Sequence, residues 1–271
     1  MARTQVREVR YDTPQYKRVL LYTVRKVGGR KAGGRVRRGE PTREVQAALN
    51  ARNAARMLSD ILHLNFKPSD CAIHPTYAEG SMPADDESAH RDVINYIRRV
   101  RRIFVKLHGT ARGFKYVYVT ARTKTGRYHH HLAISAAGVS FRELINAWGL
   151  GRCNPRHLEF NENGLVGLSH YYAKDQEYVG SRRWGCSKGL ARPAPRVNDT
   201  KFCQKDMASL CGENPDTERI ADKYYPGWTI SDVTTQTTPG GTFIELFIYK
   251  TDNAYFNYDR WGRIHYKFEG I

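Results

Sequence analysis

KYVYVTARTKTGRYHHHLAIS, residues 115–135, decides the fold. Two runs rich in Val, Tyr and Ile flank a turn around TKTG, so the stretch reads as a β-hairpin. Successive side chains on a strand point to opposite faces. Tyr128, His130, Leu132 and Ile134 therefore share the core face, while His129, His131, Ala133 and Ser135 share the other. His129 and His131 then project side by side, the arrangement in which one strand supplies two imidazole ligands to a divalent metal. His130 reads as structural. The bland alternative is three ordinary strand polar residues, because a lone His-x-His pattern is a weak signal.

Upstream, YKRVLLYTV (16–24) reads as a strand, and VGGRKAGGRVRRG (27–39), with five glycines among basic residues, reads as a loop. A helical pattern starts at Thr42, carries Val45, Leu49, Leu58, Ile61 and Leu62, and ends before NFKPSD. CAIHPTY (71–77) is a short strand whose Pro75 suggests an edge or interrupted position. Asp85, Asp86 and Glu87 suit the positive end of a following helix. That helix has an apolar stripe of Val93, Ile97, Val100, Phe104 and Leu107, and Arg98, Arg99, Arg101, Arg102 and Lys106 on its other face.

Downstream lie two helical patterns, FRELINAWG and GLVGLSHYYAKDQEY, then a Pro-rich LARPAPR and a hairpin, WTISDVTTQTTPGGTFIELFIYK, turned at Gly240 and Gly241. Strands with helices between them, without regular βαβ alternation, predict an α+β fold with a central antiparallel sheet and packed helices. The expected organisation is a basic N-terminal strand and loop (1–41), a core (42–200) and a C-terminal extension (201–271) whose hairpin packs on that core.

The chain has 271 residues, 40% of them hydrophobic, enough for one sizeable core or two small ones. Its 44 Lys and Arg against 27 Asp and Glu give +17, a charge that points to nucleic acid as partner. No segment approaches the roughly 20 apolar residues of a spanning helix, and MARTQVREVR lacks the apolar stretch of a signal peptide, so a cytoplasmic protein without a membrane partner is expected. Five cysteines, odd in number and never in CxxC, indicate neither a disulfide framework nor a zinc ribbon. The 27–39 loop reads as a solvated linker or as a DNA-contacting arm through Arg30, Lys31, Arg35, Arg37 and Arg38. The basic helix face, with Arg98 and Arg102, is open to the same two readings.

A helix over 165–178 puts Leu165, Leu168 and Tyr172 on one stripe and leaves Tyr171 on another face with Gly164, Gly167 and Lys174. A phenol has a pKa of about 10, so Tyr171 becomes a nucleophile only where something stabilises its oxyanion or the charge developing on the substrate. A metal and a lysine can do this. The bland reading of Tyr171 is an exposed helix tyrosine.

His129-His130-His131 on a strand, followed some forty residues later by Tyr171-x-x-Lys174, resembles the HUH endonuclease superfamily, specifically the rolling-circle replication initiator proteins of phages, plasmids and small single-stranded DNA viruses. NFKPSDCAIHPTY resembles the first initiator motif, RDVINYIRRVRR the helix after it, and RRWGCSKGLARP a segment found after the tyrosine in phage-type initiators. The resemblance runs from about residue 42 to the C-terminus.

It implies a split-βαβ, RRM-like sheet with helices mainly on one face and the metal site on an open face. His129 and His131 would bind Mg²⁺ or Mn²⁺, Tyr171 would attack the scissile phosphate, and Lys174 would steady phosphate or phenolate. The products would be a 5′-phosphotyrosyl link and a free 3′-hydroxyl that primes synthesis. Single-stranded origin DNA would be the substrate, with Arg182, Arg183 and Lys188 among its contacts. With no GxxxxGK[ST] in the sequence, a separate host helicase would act beside the polymerase, in the bacterial cytoplasm if phage or plasmid encoded.

Two departures stand out. His74 and Pro75 replace apolar and Thr residues of the first motif. Many relatives also place a metal-binding glutamate eight residues before the first motif histidine; position 121 is alanine here. Glu79 is one candidate for the missing oxygen. Alternatives are a catalytically weakened HUH-fold DNA-binding protein, and a relaxase or single-strand transposase; absence of an evident histidine triad argues against the relaxase.

Overall fold

The computed structural model describes residues 3–26, 43–169, 184–238, 241–258 and 264–266. In chain order the elements are β1 (Arg3–Asp12), β2 (Tyr16–Lys26), α1 (Arg43–Asn65), β3 (Cys71–Pro75), α2 (Asp86–His108), β4 (Lys115–Arg122) and β5 (Tyr128–Ser135). There follow α3 (Phe141–Trp148), β6 (Cys153–His157), β7 (Gly185–Cys186), β8 (Arg196–Asn198), α4 (Gln204–Leu210) and α5 (Thr217–Tyr224). The chain closes with β9 (Trp228–Thr238), β10 (Gly241–Lys250), β11 (Phe256–Tyr258) and β12 (Ile264–Tyr266). Among the described residues the class is α+β, but with two five-stranded antiparallel sheets and a two-stranded one, β11-β12, rather than one central sheet. Among the described residues no helix is long and apolar enough to cross a membrane.

Two compact units interleave along the chain. One takes Met1–Asn50, Asn161–Gly164 and Pro193–Ala254, the other Ala51–Phe160, Leu165–Arg192 and Tyr255–Ile271. In the first unit the strand order is β8-β1-β2-β10-β9. Val6, Val19, Leu21, Ile244, Leu246 and Ile248 alternate onto one face and pack with Met207 and Leu210 of α4 and Ile220 of α5. Glu8, buried on β1, is held by Lys201 at 3.1 Å and the Tyr225 hydroxyl at 2.6 Å. N-terminal strands and C-terminal hairpin are thus one sheet, joined where β2 pairs with β10.

The second unit holds the sheet β6-β3-β5-β4-β7. The hairpin of β4 and β5 forms as its sequence predicts. On one face, α2 buries Val93, Tyr96, Ile97, Val100 and Phe104 against Leu132 and Ile134 of β5, with Leu144 and Trp148 of α3. Asp85 caps α2 through the Ser88 amide at 2.7 Å, and Gly109 (φ 69°) ends it. Leu107, expected in the stripe, lies in the last turn before that cap and is 52% exposed.

Two expectations about the sheet are corrected. Pro75 marks an interruption but not an edge: β3 lies between β5 and β6 and ends at Pro75, with only a bridge from Thr76 to His129 beyond it. The edge strands are β6, which carries Pro155, and β7. Nor is the face opposite α2 open over β4 and β5, where Val117, Val119, Ala121 and Ala133 are each at most 1% exposed; it is open at β6, where Asn154 and Arg156 are exposed. Apolar side chains alternate onto both faces of β4 and β5, so both faces must be covered.

Gly151 lets the chain entering β6 cross close over the end of β3. A Cβ there would collide with the Thr76 carbonyl and the Ala78 amide. Gly151→Ala is therefore expected to destabilise the protein by about 1–3 kcal/mol, the usual cost of overpacking, read as a lower denaturant midpoint at unchanged slope.

Candidate metal centre

His130 is the structural member of the run. It is fully buried, with Nε2 2.8 Å from the Tyr77 hydroxyl and Nδ1 2.9 Å from the Thr120 hydroxyl. A neutral imidazole has one donor and one acceptor, so one hydroxyl donates to it and the other accepts. Burial, aided by the neighbouring histidines, pushes its pKa down to about 3, which keeps it neutral.

His129 and His131 face the other way and meet a third histidine. The pairing of Ile73 with Leu132 and the bridge between Thr76 and His129 set His74 opposite His131. The His74 and His131 rings stack with centroids 4.6 Å apart at 12°, and His129 stands edge-on to both, at 5.4 Å from His74 and 4.9 Å from His131. One ligand nitrogen from each lies within 4.8 Å of the others. Two nitrogens each about 2.1 Å from one ion can span at most roughly 4.2 Å, so small side-chain adjustments would be needed to bring the set onto a metal.

His129 is 6% and His131 2% exposed, with His74 half-buried. Burial first, and the neighbouring imidazoles after it, push His131 down to about 2. Neutral imidazoles keep their lone pairs for a metal. The three-histidine group could hold a metal ion; among the described residues it contains no carboxylate. Glu79, the oxygen ligand suggested by sequence, is exposed and is not part of the group. Ala121 pairs directly with His129, so position 121 does lie on the histidine face, but its methyl offers no ligand. His74 reaches the site from β3, on the other flank of β5.

Beside the histidines is a cleft of about 290 Å³ lined by His74, His131, Asn154, Arg156 and Leu168, among others. Tyr171, Lys174, Arg182 and Arg183 lie outside the described residues, as do Arg30, Lys31, Arg35, Arg37 and Arg38. Arg98 and Arg102 are exposed on α2, which packs on the opposite face of the sheet, so the structure does not bring them to the histidines. Lys188 is exposed just beyond β7, the edge strand remote from β6.

Sequence reasoning missed His74, Asn154 and Arg156 as parts of this cleft. The signal for His74 was present as a polar residue in the apolar run CAIHP, but its meaning depends on strand register. Comparisons of the chain with protein-family models, with curated proteins and with solved structures find no match.

Proposed function

We propose that the protein is a metal-dependent endonuclease of the HUH kind that nicks single-stranded origin DNA to start rolling-circle replication. The observation that carries this reading is the convergence of His74, His129 and His131 from adjacent strands beside a cleft. Tyr171 follows the cleft-lining Leu168 by three residues, a span of at most roughly 11 Å.

The three histidines would hold Mn²⁺ or Mg²⁺, which when bound polarises a phosphodiester oxygen and offsets charge in the transition state. The Tyr171 oxygen forms its bond to phosphorus as the bond to the 3′ oxygen breaks. That oxygen takes up a proton and becomes the 3′-hydroxyl, while Lys174 steadies phosphate or phenolate. The 5′-phosphotyrosyl adduct conserves the phosphodiester for rejoining. Helicase and polymerase are separate partners in this scheme.

A third imidazole favours a working site over a decayed one, because the donor missing at Ala121 is replaced from β3. It also removes the argument against a relaxase, which rested on the lack of a histidine triad. Initiator and relaxase are separated by substrate: labelled single-stranded oligonucleotides tiling the protein's own replicon should yield a denaturant-resistant adduct at the replication origin. Because the donors are all nitrogen and Mg²⁺ is a hard, oxygen-seeking ion, half-maximal nicking should need at least roughly tenfold more Mg²⁺ than Mn²⁺. Absence of any adduct with either ion, in protein shown to be folded, would remove the nuclease reading.

A further inference from the structure

We propose that Arg156, with Asn154 beside it, is a phosphate-binding pair that seats one phosphodiester group of a single-stranded polynucleotide next to the histidines. This rests on the nuclease reading for its purpose, but not for its geometry. In β6 the residues alternate. Cys153 and Pro155 are buried, Cys153 within the core formed with Tyr96 and Trp148, while Asn154 and Arg156 are exposed. Asn154 pairs with His74 and Arg156 with Ala72, so both lie on the histidine face. Ala72 pairs in turn with Ala133. Two small residues thus follow Arg156 across the sheet, and both Asn154 and Arg156 line the cleft with His74 and His131.

Three arginines of this unit are engaged elsewhere, while Arg98, Arg101 and Arg102 lie exposed on α2, on the opposite face of the sheet. Arg99 donates to the Ala147 and Trp148 carbonyls, Arg122 to Asp86 and Tyr128, and Arg127 to the Tyr77 carbonyl. Among the described residues the side chain of Arg156 makes no ion pair or hydrogen bond. A guanidinium is a planar fork that matches two oxygens of a phosphate, and diagonal neighbours on adjacent strands are roughly 7–8 Å apart, within reach of an arginine side chain and one phosphate. The ligand class follows from an anion receptor beside nitrogen metal ligands in a chain of net charge +17.

The test uses the full chain with Mn²⁺ and a fluorescent single-stranded oligonucleotide of about 12 nucleotides. Arg156→Gln should leave Mn²⁺ affinity, read by paramagnetic resonance without DNA, unchanged. It should weaken oligonucleotide binding at least roughly tenfold and reduce the slope of log affinity against log salt by about 0.7, the share of one phosphate on a single strand. Arg156→Lys should restore the slope but only part of the affinity, since an ammonium lacks the fork. Inorganic phosphate should compete with the oligonucleotide on the unaltered protein and much less on Arg156→Gln.

Wild-type affinity and slope in Arg156→Gln overturn the proposal, as does loss of Mn²⁺ binding in that variant, which would make Arg156 structural. If the slope changes but no protein nicks, the nuclease reading fails and the phosphate site stands. If the protein nicks and Arg156→Gln does so with wild-type KM, the phosphate site fails and the nuclease reading stands. No oligonucleotide binding by the unaltered protein overturns both.

Discussion

His74→Ala lowers Mn²⁺ affinity by at least roughly 100-fold, the upper end of what even outer-shell changes cost a metal site. The expectation follows from counting donors: with His74 gone, two imidazoles on one strand remain, and the bound ion must complete its shell with water. Under the proposed function, nicking should fall in parallel and be partly regained at high Mn²⁺. Because His74 is half-buried and stacks on His131, the variant's melting curve must be recorded beside its metal titration. A large affinity loss at near-native stability assigns His74 as a ligand; unchanged affinity removes it from the site.

The companion variant His74→Ala/Ala121→Glu moves the third donor to the other flank of β5. Ala121 pairs directly with His129 and shares its face, so a carboxylate there approaches the ion from β4 instead of β3. At least tenfold recovery of Mn²⁺ affinity over His74→Ala is expected, with a shift of preference toward Mg²⁺ because oxygen has replaced nitrogen. A double variant that folds but binds no better than His74→Ala shows that side chains at 121 are not aimed at the ion.

Under the proposed mechanism, Tyr171→Phe should have the second large effect. Removing the proposed attacking oxygen should cut adduct formation by at least roughly 10⁴-fold, while affinity for single-stranded DNA stays within about twofold, since the change removes only the hydroxyl. Tyr172→Phe should keep most of the activity. Mass spectrometry of the trapped adduct locates the modified tyrosine, and an adduct on Tyr172 would invert the helical-face assignment that set Tyr171 apart.

The sequence by itself determined what depends on near neighbours. Alternation along YHHHLAIS separated His130, now held between Tyr77 and Thr120, from His129 and His131. The spacing of Val93, Ile97, Val100 and Phe104 gave the buried stripe of α2 correctly, and failed at Leu107 because periodicity does not say where the partner surface stops. β1 was not read as a strand, since Arg3, Arg7, Glu8 and Arg10 hide its alternation; Glu8 is buried only because Lys201 and Tyr225, distant in sequence, reach it.

Tertiary structure alone decided which strands pair and in what register. His74 and His129 are 55 residues apart in sequence, and a register slip of one residue would turn His74 into the α2 core. The actual register is selected by the whole sheet, which must bury Ile73 with Leu132 and Ile134 on one face and Ala72 with Ala133 on the other. The same selection lays Asn154 and Arg156 alongside His74 and Ala72 and joins β2 to β10 across more than two hundred residues. Local sequence encodes the direction in which each side chain points, whereas the third histidine and the arginine of the cleft come from long-range pairing, which is settled by the apolar surface that competing arrangements bury.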